Sequence, residues 1–138
     1  ALEHIYEAQY IGRIGRVRES LSLEATKMLL QRVFPHSQLR WGGAKVEQIE
    51  RIALCTGSGA EFIKAAAKQK ADLYITGDVK YHDMQLAKEL GILVVDAGHY
   101  GTEYMSQTIL KQYLTDVFTE EEVQVIESEV QGDFFFKV

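Results

Sequence analysis

The chain has 138 residues, which is enough for one compact domain with a hydrophobic core. Its 46% hydrophobic and 25% charged residues are typical of a globular protein and exclude a disordered or low-complexity chain. The net charge of -5 argues against nucleic acid as the main partner, and no apolar run approaches the ~20 residues that a membrane span needs. We therefore expect a cytoplasmic protein with a single domain over residues 1–138.

The first third of the chain predicts two strand regions around one helix. Residues 11–17 have two glycines among alternating apolar residues, which suits an edge strand or an extended entry into the domain. Ser22 is placed to cap a helix that continues through Phe34. The segment "LRWGGAKVEQIERIALCTG" then predicts a short strand, a turn at Gly42-Gly43 and a second strand over residues 49–56.

The rest of the chain repeats an apolar run, a glycine-containing turn and a helical period. The pairs are "RIALC" with "EFIKAAAKQ", "ADLYIT" with "MQLAKEL", and "GILVVD" with "EYMSQTILKQYLTDVF". This alternation is typical of βαβ units, and the unbroken apolar runs indicate strands covered by helices on both faces. We expect a three-layer α/β/α fold with a mixed, largely parallel sheet.

The C-terminal segments predict further packing elements. "VQVIES" after an acidic turn at residues 119–122 predicts a last strand, and the apolar tail "GDFFFKV" should pack on another surface. An apolar stripe on the last long helix predicts core or a subunit interface rather than a cofactor pocket. The stripe consists of Met105, Ile109, Leu110, Tyr113, Leu114 and Val117.

The single cysteine and two of the four histidines are not expected to belong to a site. Cys55 lies alone in an apolar run, so we expect it to pack as a small hydrophobic residue. His4 and His36 have no acidic or cysteine neighbours at ligand spacing and are predicted to lie on the surface.

Polar residues and glycines concentrate at the ends of three predicted parallel strands. These ends are "TGSG" at residues 56–59, "TGDVKYHD" at residues 76–83 and "DAGHYGTE" at residues 96–103. Ligands bind in parallel α/β sheets where the carboxyl ends of strands meet, so we expect the three loops to form one site.

The third loop carries a candidate metal pair. His99 and Glu103 are four residues apart, so on a helical turn they share one face and can reach one cation. Nitrogen and carboxylate ligands suit zinc, manganese or iron. The spacing alone also fits a surface histidine and a glutamate that complements a helix N-terminus.

The second loop could support such a site. Asp78 could accept a hydrogen bond from a metal-bound water or orient His99, and Lys80 or His82 could hold an anionic substrate or move a proton. The alternative is a solvated turn before a helix. In the first loop, "TGSGAE" could bind phosphate, although tight strand-to-helix packing explains its glycines equally well.

The three motifs together resemble one family. "CTGSGAEFI", "ADLYITGDVKYHD" and "GILVVDAGHYGTE", in this order and spacing, are similar to the C-terminal half of the NIF-three-like proteins, also called GTP cyclohydrolase type-two homologues. The "IGRIG" strand and the "LSLEA" helix start match as well. The resemblance implies that residues 1–138 are the C-terminal part of a longer chain.

The resemblance also implies a dinuclear metal site. In that family two α/β halves hold a pair of divalent metals (zinc, iron or manganese), and His99 and Glu103 fall on the C-terminal ligands. The other family ligands come from a His-His-Pro motif and an Asp in the N-terminal half. This sequence contains no His-His pair, so it would supply only part of the ligand set. The tail "GDFFFKV" also differs from the family's Asn-Pro-Phe-like segment.

Two functions follow from the resemblance. The first is a metal-dependent, GTP cyclohydrolase-like hydrolase of a small nucleotide-type substrate, in which His99 and Glu103 bind metal, Asp78 orients, and Lys80 and His82 face the substrate. The alternative is a non-catalytic metal-binding protein that acts through protein partners. In either case the family implies a homohexameric ring.

Overall fold

A computed structural model describes residues 11–118, 123–130 and 132–134. The chain forms two compact units, residues 1–102 and residues 103–138, with the boundary inside one short helix. The elements in chain order are β1 Arg13–Ser22, α1 Leu23–Val33, β2 Arg40–Gly43, β3 Gln48–Ser58, a 3-10 turn Ala60–Phe62, α2 Ile63–Lys68, β4 Leu73–Gly77, α3 Tyr81–Glu89, β5 Leu93–Asp96, α4 His99–Glu103 and α5 Met105–Val117.

The first unit is built on a five-stranded mixed sheet in the order β1-β3-β4-β5-β2. The three central strands β3, β4 and β5 are parallel to one another, whereas the edge strands β1 and β2 are antiparallel to their neighbours. The predicted α/β fold with a mixed, largely parallel sheet is therefore confirmed.

Side chains of the central strands alternate between two hydrophobic clusters. On β4, Leu73 packs in a cluster with Leu30 of α1, whereas Tyr74 packs in a cluster with Ile63 of α2 and Ala87 of α3. All five side chains are buried. Because successive strand residues point to opposite faces, α1 covers one face of the sheet and α2 with α3 covers the other, which gives the expected three layers.

Helix α1 begins where the sequence predicts. The Ser22 side-chain oxygen accepts a hydrogen bond from the Ala25 backbone N–H at 3.2 Å, as an N-cap does. Strand β1 continues to Ser22 and is therefore longer than the predicted strand over residues 11–17. Cys55 is buried as expected, and His36 is exposed, whereas His4 lies outside the described residues.

The predicted turn at Gly42-Gly43 is wrong. Both glycines belong to β2, which pairs with β5 through Gly42↔Val94 and Gly43↔Leu93, and not with β3. A Cβ atom on Gly42 would overlap the Met84 sulfur of α3. The glycines therefore allow a helix to pack closely on an edge strand, a non-local requirement that resembles a local turn signal.

The predicted strand "VQVIES" is also wrong, because residues 123–128 are not in a strand. In the second unit Glu127 instead accepts a side-chain hydrogen bond from Thr108 of α5 at 3.0 Å. A segment with alternating apolar residues forms a strand only where it can pair with the edge of a sheet, and this segment contacts a helix instead. Phe134 of the tail is exposed, while residues 119–122 and 135–138 lie outside the described residues.

Most of the apolar stripe of α5 is exposed. Five of its six predicted members are exposed: Met105, Ile109, Leu110, Tyr113 and Val117.

Within the described part of the chain, no helix combines the length and the hydropathy that crossing a bilayer requires.

Candidate metal centre

The carboxyl ends of three parallel strands carry the candidate site. Strand β3 ends at Ser58, β4 at Gly77 and β5 at Asp96. Because the three strands are adjacent and parallel, the loops that follow them leave the same edge of the sheet. The sheet therefore collects the three polar loops as the sequence predicts.

The structure brings Asp78 and His99 together. The Asp78 Oδ2 atom lies 2.7 Å from the His99 Nδ1 atom, and both side chains are about half exposed, at 48% and 51%. A carboxylate accepts hydrogen bonds, so Nδ1 is the donor in this contact, and in the neutral form of the ring the lone pair is then on Nε2. This contact thus joins the loop after β4 to the loop after β5 at one site.

Asp78 adopts a backbone conformation that is uncommon for a residue other than glycine. Its φ angle is +56°, in the left-handed region. Aspartate tolerates this region better than most residues, although the conformation still costs energy and persists only where neighbouring contacts hold it. The loop after β4 is therefore fixed in a shape that directs the carboxylate to His99.

Glycine allows the second and third loops to approach each other. A Cβ atom on Gly77 would lie 2.7 Å from the His99 nitrogen and 2.8 Å from the Gly98 carbonyl oxygen. Both distances are shorter than van der Waals contact and involve backbone atoms, which cannot rotate away. Gly77 is thus required for close packing and not for flexibility.

The first loop is held by packing. Gly57 donates its N–H to the Thr102 hydroxyl at 2.8 Å, and the Tyr74 hydroxyl donates to the Gly59 carbonyl at 2.7 Å. A Cβ atom on Gly59 would lie 2.5 Å from the Thr76 hydroxyl. These contacts favour the packing interpretation of "TGSGAE" over the phosphate-binding one.

Tyr74 occupies an unusual electrostatic environment for a phenol. Its side chain is buried beside Cys55 in the cluster that α2 and α3 cover. Loss of solvation on burial, followed by the nearby Cys55, raises the pKa of the Tyr74 phenol above its ordinary value. Tyr74 is therefore a neutral hydrogen-bond donor that fixes the first loop.

Lys80 and His82 follow Asp78 closely in the sequence. Lys80 precedes α3, and its backbone N–H donates to Asp83 Oδ2 at 3.0 Å, which caps that helix. The exposed His82 ring contacts the Tyr81 ring edge to face, with centroids 5.6 Å apart. Among the described residues, no hydrogen bond or ion pair joins either side chain to Asp78 or His99.

Glu103 is the last residue of α4, whose first residue is His99. The helix thus has the four-residue spacing on which the metal prediction rests, and Glu103 is exposed. Within residues 11–118, 123–130 and 132–134, no group of three or more His, Cys, Asp or Glu side chains is arranged to hold a metal ion.

Sequence reasoning assigned no role to Arg40 or to the side chain of Asp96. The Asp96 carboxylate is 4% exposed, and it accepts hydrogen bonds from Arg40, from the Val79 N–H at 3.1 Å and from the Gly98 N–H at 2.9 Å. Arg40 begins an edge strand that pairs with β5 from outside the βαβ units. Its register with Asp96 was therefore not visible in the sequence.

Comparison with known proteins decides the family. The family model described as "Duf34/NIF3 (NGG1p interacting factor 3)" matches residues 2–133. The chain belongs to the Duf34/NIF3 family. Since this match spans nearly the whole chain, the resemblance inferred from the three motifs is confirmed.

Curated relatives and solved structures agree with this assignment. A Clostridium acetobutylicum protein named "GTP cyclohydrolase 1 type 2 homolog" is 34% identical over 104 residues, which are 75% of this chain and 39% of that protein. A Bacillus cereus protein related to NIF3 has a TM-score of 0.80 at 26% identity, over 93% of this chain and 35% of its own. A Staphylococcus aureus structure gives 0.79 at 31% identity, over 92% and 42%.

The chain spans well under half the length of these relatives. The Duf34/NIF3 chain described here thus corresponds to one part of each of them. The three motif loops lie within the residues that the family model matches.

Proposed function

We propose that this Duf34/NIF3 chain contributes half of a dinuclear centre for zinc, iron or manganese, and that the complete protein is a metal-dependent hydrolase of a small, nucleotide-type substrate. The Asp78–His99 hydrogen bond of 2.7 Å is the observation that carries the proposal. A histidine that ligates a metal through one ring nitrogen usually donates its other N–H to a carboxylate or carbonyl. His99 has this arrangement, with Asp78 as the acceptor.

The donor set fits a divalent ion in part. His99 would supply a nitrogen ligand and Glu103 a carboxylate ligand from the two ends of α4, a combination that suits zinc, manganese or iron. The remaining ligands of a pair of ions would come from outside this chain. When bound, such ions supply Lewis acidity and lower the pKa of water, which is the chemistry of metal-assisted hydrolysis.

The other predicted residues have roles that do not require ligation. Asp78 holds the His99 ring in one tautomer and one orientation. Lys80 carries a positive charge at the same edge of the sheet and suits an anionic group of a substrate, and the exposed His82 suits proton transfer. The cyclohydrolase-type names of the relatives support a nucleotide-like substrate.

Metal content is the first test. The complete open reading frame that encodes this chain is expressed in zinc-, iron- and manganese-supplemented medium, and bound metal is measured by inductively coupled plasma mass spectrometry. We expect about two ions per protein, and a loss of bound metal in His99→Ala and Glu103→Gln. His36→Ala is the matched control, because His36 is an exposed histidine in the loop after α1. Wild-type protein that stays free of metal after reconstitution would refute the centre.

Turnover is the second test. The reconstituted protein is incubated with a panel of nucleoside triphosphates and cyclic nucleotides, and the products are separated by liquid chromatography. Hydrolysis that depends on metal and disappears in His99→Ala would support the enzyme. Bound metal without hydrolysis of any panel member would favour a non-catalytic metal-binding protein that acts through protein partners.

A non-catalytic function is favoured by one separate observation. Helix α5 exposes an apolar stripe on the second unit, with Ile109 and Tyr113 each 63% exposed. Exposed apolar patches of this kind mark interaction surfaces more often than isolated exposed side chains do. The alternative proposal is therefore a metal-binding homo-oligomer, a hexameric ring in the complete protein, that acts through protein partners.

A further inference from the structure

The buried Asp96 carboxylate contacts both loops that carry the Asp78–His99 pair. Its Oδ2 atom accepts the Val79 N–H at 3.1 Å, and its Oδ1 atom accepts the Gly98 N–H at 2.9 Å. Val79 directly follows Asp78, and Gly98 directly precedes His99. Each carboxylate oxygen therefore fixes the backbone one residue away from one member of the pair.

Arg40 completes this arrangement from the edge strand β2. Its Nη2 atom donates to the Asp96 carboxylate and also to the Val79 carbonyl oxygen, the latter at 2.9 Å. The guanidinium group thus compensates the charge of a carboxylate that is 4% exposed. Val79 is therefore held at its N–H by Asp96 and at its carbonyl oxygen by Arg40.

The hydrogen bonds act on backbone that would otherwise relax. Asp78 has a φ angle of +56° and Gly98 one of +77°, so both loops turn through the left-handed region next to the pair. Glycine adopts this region freely, whereas the conformation of Asp78 costs energy and persists when surrounding contacts determine it. Asp96 supplies such contacts to both loops at once.

We propose that Asp96, with Arg40 as its counter-charge, is a positioning residue that sets the separation of Asp78 and His99 and thereby the tautomer of the His99 ring. Both residues act through the backbone next to the pair. The proposal builds on the proposed metal centre only in its prediction about metal affinity, since the tautomer is a property of the metal-free chain.

The experiment compares Asp96→Asn with Asp72→Asn. Asparagine keeps the size of the side chain but replaces one acceptor oxygen by a donor, so the two backbone N–H bonds cannot both be kept. Asp72→Asn is a control for the loss of a carboxylate charge, because the Asp72 Oδ2 atom alone accepts the N–H groups of Glu50 and Arg51, each at 2.8 Å, and the amide oxygen of asparagine can keep both bonds. Asp72 precedes β4, at the opposite end of that strand from the candidate site.

The first measurement is the tautomer of His99 by long-range proton–nitrogen correlation on metal-free, nitrogen-15-labelled protein at mildly alkaline pH. We expect the Nδ1–H form in the wild type and in Asp72→Asn, and a shift toward Nε2–H in Asp96→Asn, because imidazole in water prefers Nε2–H. The second measurement is zinc affinity, which we expect to fall by about tenfold in Asp96→Asn. This is the lower end of the effect of mutating a residue that hydrogen-bonds to a metal ligand, because Asp96 acts on His99 only through the backbone.

Three results would overturn the proposal. A folded Asp96→Asn with the wild-type tautomer would do so, and so would the same tautomer shift in Asp72→Asn, which would make the effect one of general stability. If Asp96→Asn does not fold, Arg40→Gln replaces it, because the Arg40 side chain is 64% exposed and tolerates substitution. A wild-type tautomer in folded Arg40→Gln would then refute the proposal, whereas a shift that Arg40→Lys partly reverses would support it.

Failure of the metal centre is distinguishable from failure of this proposal. A wild-type protein that binds no zinc, together with an Asp96→Asn variant whose tautomer shifts, would refute the metal site and leave the positioning role of Asp96 standing.

Discussion

Gly77 lies against the backbone of His99, so closely that a Cβ atom on Gly77 would come within 2.7 Å of the His99 nitrogen. The last residue of β4 and the first residue of α4 therefore pack without any side chain between them. This contact, together with the Ala97 N–H bond to the Thr76 carbonyl at 2.8 Å, places the loop after β4 beside the loop after β5.

We predict that Gly77→Ala lowers the free energy of unfolding by about 1–3 kcal/mol, because the added methyl group meets backbone that cannot rotate away. We also expect weaker zinc binding, since either loop must move to make room. Urea unfolding and zinc titration measure the two effects. Gly132→Ala is the control, as nothing lies within 4 Å of a Cβ atom there. Wild-type stability in Gly77→Ala would show that the loops are not tightly packed.

The sequence predicts a contact when the two residues are close in the chain or follow neighbouring strands of a recognisable pattern. Ser22 was recognised as a cap because its partner Ala25 is three residues away. Topology predicts that the loops of Asp78 and His99 lie side by side, since both follow adjacent parallel strands, and contact with His99 is one of the two roles that the sequence allows for Asp78. Arg40 was missed because it reaches Asp96 only through the antiparallel pairing of β2 with β5, which nothing in either segment specifies.

The wrong predictions have the same origin. Gly42-Gly43 has the composition of a hairpin turn, yet Gly42 is needed for contact with Met84 of a helix far along the chain. "VQVIES" has the alternation of a strand, yet its Glu127 contacts α5. In both segments tertiary contacts override local preference, and the sequence near the segment does not contain them.

The Asp78–His99 hydrogen bond gives a test of the metal proposal that leaves the backbone unchanged. Asparagine tolerates the left-handed region as well as aspartate does, so Asp78→Asn keeps the loop and removes the charge. We expect zinc affinity to fall by about 10–100-fold, the usual effect of substituting the partner of a metal-bound histidine, because a neutral amide oxygen accepts more weakly than a carboxylate. Isothermal titration calorimetry measures the change. Asp116→Asn on α5 is a control for the loss of one exposed negative charge.

An unchanged zinc affinity in Asp78→Asn would mean that the carboxylate does not orient a ligand. The Asp78–His99 contact would then be a surface hydrogen bond of the kind that contributes little to stability or binding.

Tyr74 gives a prediction about pH. Its folded-state pKa is raised above the ordinary value of 10.0, so the stability associated with the neutral phenol is complete below about pH 10 and is lost as the pH rises further. We expect the free energy of unfolding of the wild type to decrease above about pH 10, and the decrease to be smaller in Tyr74→Phe. Urea unfolding followed by fluorescence across this range measures the difference. Tyr113→Phe is the control, since Tyr113 is exposed.

The same variant has an effect at neutral pH. Tyr74→Phe leaves the Gly59 carbonyl without the 2.7 Å hydrogen bond from the phenol, and we expect a loss of about 1–2 kcal/mol in the free energy of unfolding. No loss at neutral pH, or an alkaline decrease as steep as that of the wild type, would contradict the role given to the phenol.

The sequence leaves two interpretations of the apolar stripe of α5, core packing and a subunit interface. The exposure of Ile109 and Tyr113, 63% each, favours an interface over core packing within the second unit. We expect the wild-type protein to self-associate and Ile109→Glu to shift it toward smaller species with its helical signal retained, because a buried charge without a partner opposes association. Sedimentation velocity measures the species and circular dichroism the helix. Met28→Glu is the matched control, as Met28 is an equally exposed apolar residue on α1. Equal sedimentation of Ile109→Glu and Met28→Glu, both like the wild type, would exclude the stripe as a self-association surface and leave a different protein as its partner.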